Sequence, residues 1–191
     1  MISQGISHTA YDVMREYMII GAELDGKYQI PMLDRYTGHP GEDTVDFKDS
    51  FSPKIKNHRK LTVNFYIHDY EFEKIWNNPD RYLEHLKCFH SVIGPDFSMA
   101  VGENGMPFAM NIYQKYRNHA LSHYLSMNGI KVIPNVSIPP EYCFDWAFDG
   151  VPKRSTVACC TNGRIKSRAS REEFCIGFKE MERRIEPLRV I

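Results

Sequence analysis

The spacing of apolar residues becomes regular from Leu61 onward. LTVNFYI, residues 61–67, is β-branched and aromatic and predicts a strand. In the following DYEFEKIWNNPDRYLEHLKCF, Phe72, Ile75 and Trp76 make one apolar patch and Leu83, Leu86 and Phe89 the next. That spacing predicts a helix that breaks and restarts at Asn78-Pro79. SVIGPDF predicts a second short strand, turned at Gly94-Pro95. PFAMNIYQKYRNHALSHYLSMNG predicts the longest helix, with Pro107 in its first turn and Gly129 at its end. Ala109, Ile112, Tyr116, Ala120 and Tyr124 step by three or four along it and form the expected buried stripe. IKVIPNVS and STVACCT predict a third and a fourth strand around the excursion IPPEYCFDWAFDGVPKR. SREEFCIGFKEMERRIEP predicts a last helix, with Ser170 and Glu173 as a capping box, and LRVI begins a fifth strand.

Before Leu61 the pattern is weaker. Residues 7–20 read as a helix capped by Ser7, with Tyr11, Met14 and Met18 on one stripe. Residues 34–60 read as a long polar loop rich in Gly, Pro, Asp and Lys. Alternating strands and helices predict an α/β fold, a mainly parallel sheet with flanking helices. VNFYI, KVI and TVAC are apolar enough to be covered on both faces. An open sheet and an incomplete barrel both satisfy this pattern. The length of 191 residues suits one domain, with a helix-and-loop extension over 1–60 and an α/β core over 61–191.

Charge adds little in total and more in detail. Lys plus Arg equals Asp plus Glu, 24 each, so net charge selects no partner. Locally, Lys153, Arg154, Arg164, Lys166, Arg168 and Arg171 form an acid-free basic stretch, and Glu42 to Asp49 holds four acids with Lys48. The basic stretch suits phosphates or an acidic protein surface; its plainer reading is a solvated loop and helix start. The five cysteines are odd in number and lack C-x-x-C spacing, which predicts reduced thiols and a cytoplasmic setting. No apolar run approaches the ~18 residues that span a bilayer, and the N-terminus lacks a basic region leading into a clean apolar stretch.

Ligands of parallel α/β sheets bind beyond the C-terminal ends of the strands. Those ends carry His68 and Asp69, Asp96 and Ser98, Asn135 and Ser137, and Thr161 and Asn162. Asp69 and Asp96 together suit a Mg²⁺-like ion, since hard cations take oxygen ligands, and either carboxylate suits a general base; helix capping is the competing role. On the long helix, Asn111, Gln114, Arg117 and Asn118 lie beside the expected stripe, and Arg117 suits a phosphate clamp or a surface ion pair. Trp146 and Phe148, in a stretch with Asp145, Asp149 and Gly150, suit base stacking or a buried lid. His119 and His123 are four apart but lack the glutamate of a zinc-protease helix, and Cys160 has no evident activating histidine.

The stretches VNFYIHDYEFEKIWNNPDRYLEHL, GPDFSM, MPFAMNIYQKYRNHALSHYLSMNGIKVIPNVS and FDWAFDGVPKRSTVACCTNG resemble a family of bacterial, phage and mobile-element proteins catalogued as a domain of unknown function. The resemblance runs from about Pro31 to Ile191. It implies a phage, prophage or integrative-element setting and a cytoplasmic location, and it carries no activity. Matching positions are Asp69, Asp96, Ser98, Asn111, Tyr116, Arg117, Asn135, Asp145, Asp149 and Gly150. ACCTNG departs from the resemblance, which implies a hydroxyl and a histidine before that glycine. The resemblance also implies relatives that continue past the point matching Ile191.

Two readings lead. In the first, the strand ends bind or process a phosphate-containing ligand or nucleic acid. Asp96, Asp69 and Arg117 are then the catalytic candidates, with Asp69 and Asp96 as metal ligands. Ser98, Asn111, Asn135, Asp149, Arg164, Lys166 and Arg168 are the binding candidates. In the second, the protein is a non-catalytic inhibitor of a host defence system, such as a CRISPR nuclease, and acts by protein contact. A DNA-binding accessory role is a third reading, against which the neutral total charge counts.

Overall fold

A computed structural model describes residues 12–102, 105–162 and 165–191. A short antiparallel hairpin, β1 (Leu24–Asp25) and β2 (Ile30–Pro31), precedes β3 (Asp43–Asp46) and β4 (Leu61–Asn64). Helices α1 (Asp69–Asn77) and α2 (Asp80–Leu86) lead to β5 (Ser91–Ile93). The long α3 (Phe108–Met127) leads to β6 (Val132–Ile133), and β7 (Thr156–Val157), α4 (Arg168–Ile185) and β8 (Arg189–Val190) complete the chain.

Strands β3, β4, β5 and β6 form a parallel sheet in that order. A parallel bridge between Asn135 and Ala158 carries the pairing on toward β7 and β8, themselves parallel. Its bonds run from the Val136 N–H to the Ala158 carbonyl at 2.8 Å and from the Ala158 N–H to the Pro134 carbonyl at 2.9 Å. Among the described residues no pairing returns from β8 to β3, so the sheet is open and not a closed barrel. The fold is therefore α/β with a parallel sheet and flanking helices, as the strand–helix alternation predicts. No helix among the described residues is long and apolar enough to cross a membrane.

The period-two alternation of the strands builds two different faces. Val45, Phe47, Val63, Phe65, Val92 and Val132 pack on Phe72, Ile75, Leu86, Leu121 and Leu125 from the helices. The opposite face carries Thr62, Ser91, Ile93 and Ile133; Tyr36, Tyr66, Ala158 and the terminal Ile191 close over its apolar part. Both faces are covered, as the apolar strand runs predict.

Four local expectations change. The loop expected over 34–60 contains β3, an edge strand paired with β4 from Asp43↔Leu61 to Asp46↔Asn64. Its sequence, DTVD, is polar because an edge strand is free to carry charge, so no apolar run announces it. Within the described part of residues 7–20 the only helix is a 3-10 turn, Glu16–Ile19, preceded by Arg15 at φ 54°; Ser7 and Tyr11 lie outside the described residues. Helix α4 begins three residues earlier than expected. Ser167 is its cap, with Oγ accepting the Ser170 N–H at 3.1 Å, while Ser170 Oγ accepts the Ser167 N–H; Glu173 has no part in this cap.

The largest change concerns α3. Of the expected stripe only Ala120 is buried; Ala109 is exposed and Ile112, Tyr116 and Tyr124 are half-buried. The buried positions include Asn111, Gln114, Lys115, Arg117, Asn118, His119, Ser122 and His123. The 3-10 turn at 16–19, β2 and β6 all pack on this helix, so polar flanks that would face water elsewhere are enclosed here. They are used to hold loops. The Asn118 amide accepts the Phe97 N–H at 2.7 Å and donates to the Phe97 carbonyl at 3.2 Å. Asn111 Nδ2 donates to the Ala100 and Met106 carbonyls at 3.2 and 3.1 Å.

Replacing Asn118 by Ala should therefore strand both backbone groups of the fully buried Phe97. The expected cost is about 1–3 kcal/mol of stability, measured as a lower urea midpoint at unchanged slope.

Candidate strand-end cleft

A cleft of about 640 Å³ opens beyond the C-terminal ends of the parallel strands. Five segments line it: Lys48 after β3; Tyr66, Ile67 and His68 after β4; Asp96 and Ser98 after β5; residues 135–139 after β6; and Cys160 and Asn162 after β7. Each strand delivers a polar group as it leaves the sheet, because parallel strands end on the same edge. Met99, Val101, Ile138, Trp146 and Ala147 add an apolar wall.

A line of hydrogen bonds ties three of these segments together. The Tyr66 hydroxyl donates to Asn135 Oδ1 at 3.0 Å, and Asn135 Nδ2 donates to Asp96 Oδ1 at 2.9 Å and to the Pro95 carbonyl at 3.3 Å. Burial, and then the Asp96 charge, push the Tyr66 hydroxyl up, so it is held as a donor. At the other end of the cleft Lys48 Nζ meets Glu71 Oε1 at 2.7 Å, and Glu71 Oε2 accepts the His68 N–H at 3.2 Å. Burial pushes the Cys160 thiol up, and Sγ accepts the Asn162 N–H at 3.4 Å, as expected of a packed thiol.

The sequence candidates divide between this cleft and other places. Asp96, Ser98 and Asn135 line it. Asp69 sits at the first position of α1, with His68 as the cap residue, and its carboxylate accepts the Ser98 hydroxyl at 2.8 Å and the Ser98 N–H at 3.1–3.2 Å. That contact anchors the β5–α3 loop to α1. Among the described residues no three His, Cys, Asp or Glu side chains gather at metal-binding spacing. Asp69 and Asp96 thus have separate neighbours, Ser98 for the first and Asn135 for the second.

Arg117 lies away from the cleft. Its guanidinium sits 3.6 Å from the centre of the Phe97 ring and bonds to Glu73 at 2.5 Å and Gln114 at 3.0 Å. Such a stacked, paired arginine packs the core margin. Asn111 holds the loop before α3, as described above. Lys166 is exposed, Arg168 is exposed and paired with Glu172 at 2.8 Å, and Arg164 lies outside the described residues. Phe148 is buried in the core beside Trp146, so the FDWAFDG stretch forms a packed wall whose Trp146 reaches the cleft.

Asp149 belongs to a second polar cluster, under the cleft wall. Lys115 Nζ donates to the Ala147 carbonyl at 2.9 Å and lies 3.2 Å from His119 Nε2. His119 Nδ1 meets the Pro31 carbonyl at 2.8 Å, which fixes the neutral tautomer with its proton on Nδ1 and Nε2 free to accept from Lys115. Burial pushes the Asp149 carboxyl up, and the Asp25 carboxylate adds to the rise while Lys115 opposes it. Asp25 in turn accepts the Gly150 N–H at 2.8 Å. Gly150 has φ +73°, and a Cβ there would stand 2.7 Å from the His119 ring, so the turn requires glycine.

Lys48, Tyr66 and Glu71 escape the sequence reading. For Lys48 a signal existed. It lies two residues past β3, and once β3 is recognised as a parallel strand its C-terminal end falls on the same edge as the others. Tyr66 shares strand parity with Thr62 and Asn64, which places it on the face opposite Val63 and Phe65.

The fold and the cleft define a class, an α/β protein with an open parallel sheet and a ligand-sized cleft at its strand ends. The chain belongs to the family described as "Domain of unknown function (DUF4417)", which matches residues 22–191. It is also similar to two phage proteins, each named "Gene 1 protein". The one from Mycobacterium phage L5 is 34% identical over 125 residues, 65% of this chain and 53% of the relative. The one from Mycobacterium phage D29 is 31% identical over 125 residues, 65% of this chain and 45% of the relative. The aligned region thus spans about half the length of these relatives. No solved structure matches the chain. This is an uncharacterised family with phage relatives, as the sequence resemblance implies.

The buried Lys115–His119 pair makes stability depend on pH. Burial lowers Lys115 to about 8 and holds His119 well below its ordinary value. In each case the unfolded chain binds the proton more readily, so stability rises with pH across the gap. Denaturation midpoints should fall as pH drops below about 6.5 through His119, and rise between about 8 and 10.5 through Lys115. Lys115→Met should remove the alkaline rise and leave the acid limb, as read from urea midpoints against pH.

Proposed function

We propose that the strand-end cleft binds a nucleotide or a single nucleotide unit of a nucleic acid. The Tyr66–Asn135–Asp96 line carries this reading. It presents an ordered polar edge beside an apolar wall that includes Trp146, the pairing of features that suits a flat ring with polar substituents. Lys48 and His68 lie in the same cleft, and Lys48 can exchange Glu71 for a ligand phosphate. Exposed Lys166 and Arg168 follow the cleft residue Asn162 in sequence and offer basic groups to a longer strand, Arg168 by exchanging Glu172. The reading is one of binding. A hydrolytic role for Asp96 as base, or for a divalent ion held by Asp96 with ligand oxygens, builds on the same contact.

Calorimetric titration of the protein with a panel of nucleotides and short single-stranded oligonucleotides, with and without Mg²⁺, tests the proposal. At least one ligand should bind, and Asn135→Ala should weaken it about tenfold or more by breaking the line between Tyr66 and Asp96. Absence of binding across the panel overturns the reading and leaves the alternative, inhibition of a host protein by surface contact.

A further inference from the structure

A second concavity, about 280 Å³, lies at the opposite edge of the sheet, where β4, β5 and β6 begin. Three turns build it, with the first residue of β5: Arg59 before β4; Lys87, Phe89 and His90 before β5, and Ser91 within it; Gly129, Ile130 and Lys131 before β6. Gly129, at φ +84°, ends α3, and the Ile130 N–H returns to the Leu125 carbonyl at 3.1 Å. This helix stop delivers Lys131 to the pocket.

The lining holds Arg59, Lys87, Lys131 and His90 and no acidic residue. Elsewhere several cations sit in ion pairs, as in Lys48–Glu71, Lys60–Glu42, Arg117–Glu73 and Arg184–Glu180. Lys87 pairs with Glu84 on the exposed side, but Arg59 and Lys131 have no ion pair among the described residues. In a chain with equal acids and bases, unmatched cations from separate turns converge on one concave place.

His90 is oriented from below. The Gly41 N–H donates to Thr62 Oγ1 at 2.7 Å, Thr62 Oγ1 lies 2.8 Å from Ser91 Oγ, and Ser91 Oγ lies 3.2 Å from His90 Nδ1. Thr62 and Ser91 are both buried, so this chain is shielded from solvent. It occupies Nδ1 and leaves Nε2 as the ring nitrogen open to a ligand.

We propose that this pocket binds a phosphate group, with Arg59 as a planar two-donor clamp, Lys131 as a point charge and His90 Nε2 as a directed donor. Guanidinium and ammonium groups without competing carboxylates are the chemistry that selects phosphate oxygens. The site is separate from the strand-end cleft and does not depend on the reading given to it.

The test is calorimetric titration of the protein at low ionic strength with inorganic phosphate and with a short single-stranded oligonucleotide. Wild type should bind phosphate. Arg59→Glu combined with Lys131→Glu should weaken it about tenfold or more, and Lys54→Glu, at an exposed lysine that lines neither concavity, should leave it unchanged. An oligonucleotide that binds more tightly than inorganic phosphate, and is lost in the same double variant, assigns the phosphate to a nucleic acid chain. Binding of inorganic phosphate alone assigns it to a free anion or small ester. If the double variant melts at a lower temperature than wild type, Arg59→Gln with Lys131→Gln takes its place. Failure of both probes to bind, or equal binding by wild type and the charge variant, overturns the proposal.

Discussion

The fold rests on a helix whose enclosed surface is mostly polar. Helix α3 is packed by β2, β6 and the turn at 16–19, so its amides, ammonium and guanidinium groups have little water to turn to. A buried polar group without a partner costs more than a hydrogen bond returns. The neighbouring loops therefore take shapes that answer these groups. Asn118 grips Phe97, Asn111 holds the carbonyls of Ala100 and Met106, Lys115 holds Ala147, and His119 holds Pro31. The β5–α3 loop that carries Asp96 and Ser98 into the cleft is held by two of these contacts and by Asp69. The cleft is thus a product of the helix behind it.

Much of the architecture is legible in the residue pattern, for identifiable reasons. The interior strands carry β-branched runs because both of their faces are covered, and the long helix is bounded by Pro107 and Gly129. The rim follows from parallel strands alone, which is why Asp96, Ser98 and Asn135 are found together. Strand β3 is hidden because an edge strand may be acidic, and Lys48 is hidden with it. The α3 stripe misleads because periodicity reports an apolar face only when the opposite face meets solvent. Here the polar faces are enclosed too, so Arg117 and Asn111, attractive as ligand contacts, are tied to protein groups.

The two edges of the sheet differ in chemistry. The strand-end cleft mixes Lys48 with Glu71 and Asp96, and its polar groups are already joined to one another. The strand-start pocket presents cations with no carboxylate in its lining. A parallel sheet makes such a division natural, since all its strands enter at one edge and leave at the other. The similarity to the two phage proteins covers about half of their length.

The pairing scheme bears on how the chain reaches this state. Among the described residues, apart from the β1–β2 hairpin, every ladder is parallel and joins strands separated by helices or long loops. Such ladders demand loop closure before they return any energy, which slows collapse to the native arrangement and lengthens the time for which strand edges stay uncovered. On the ribosome, β5 must wait for α3 to be made before β6 can cover its free edge, so that edge stays open until residues 132–133 have been synthesised.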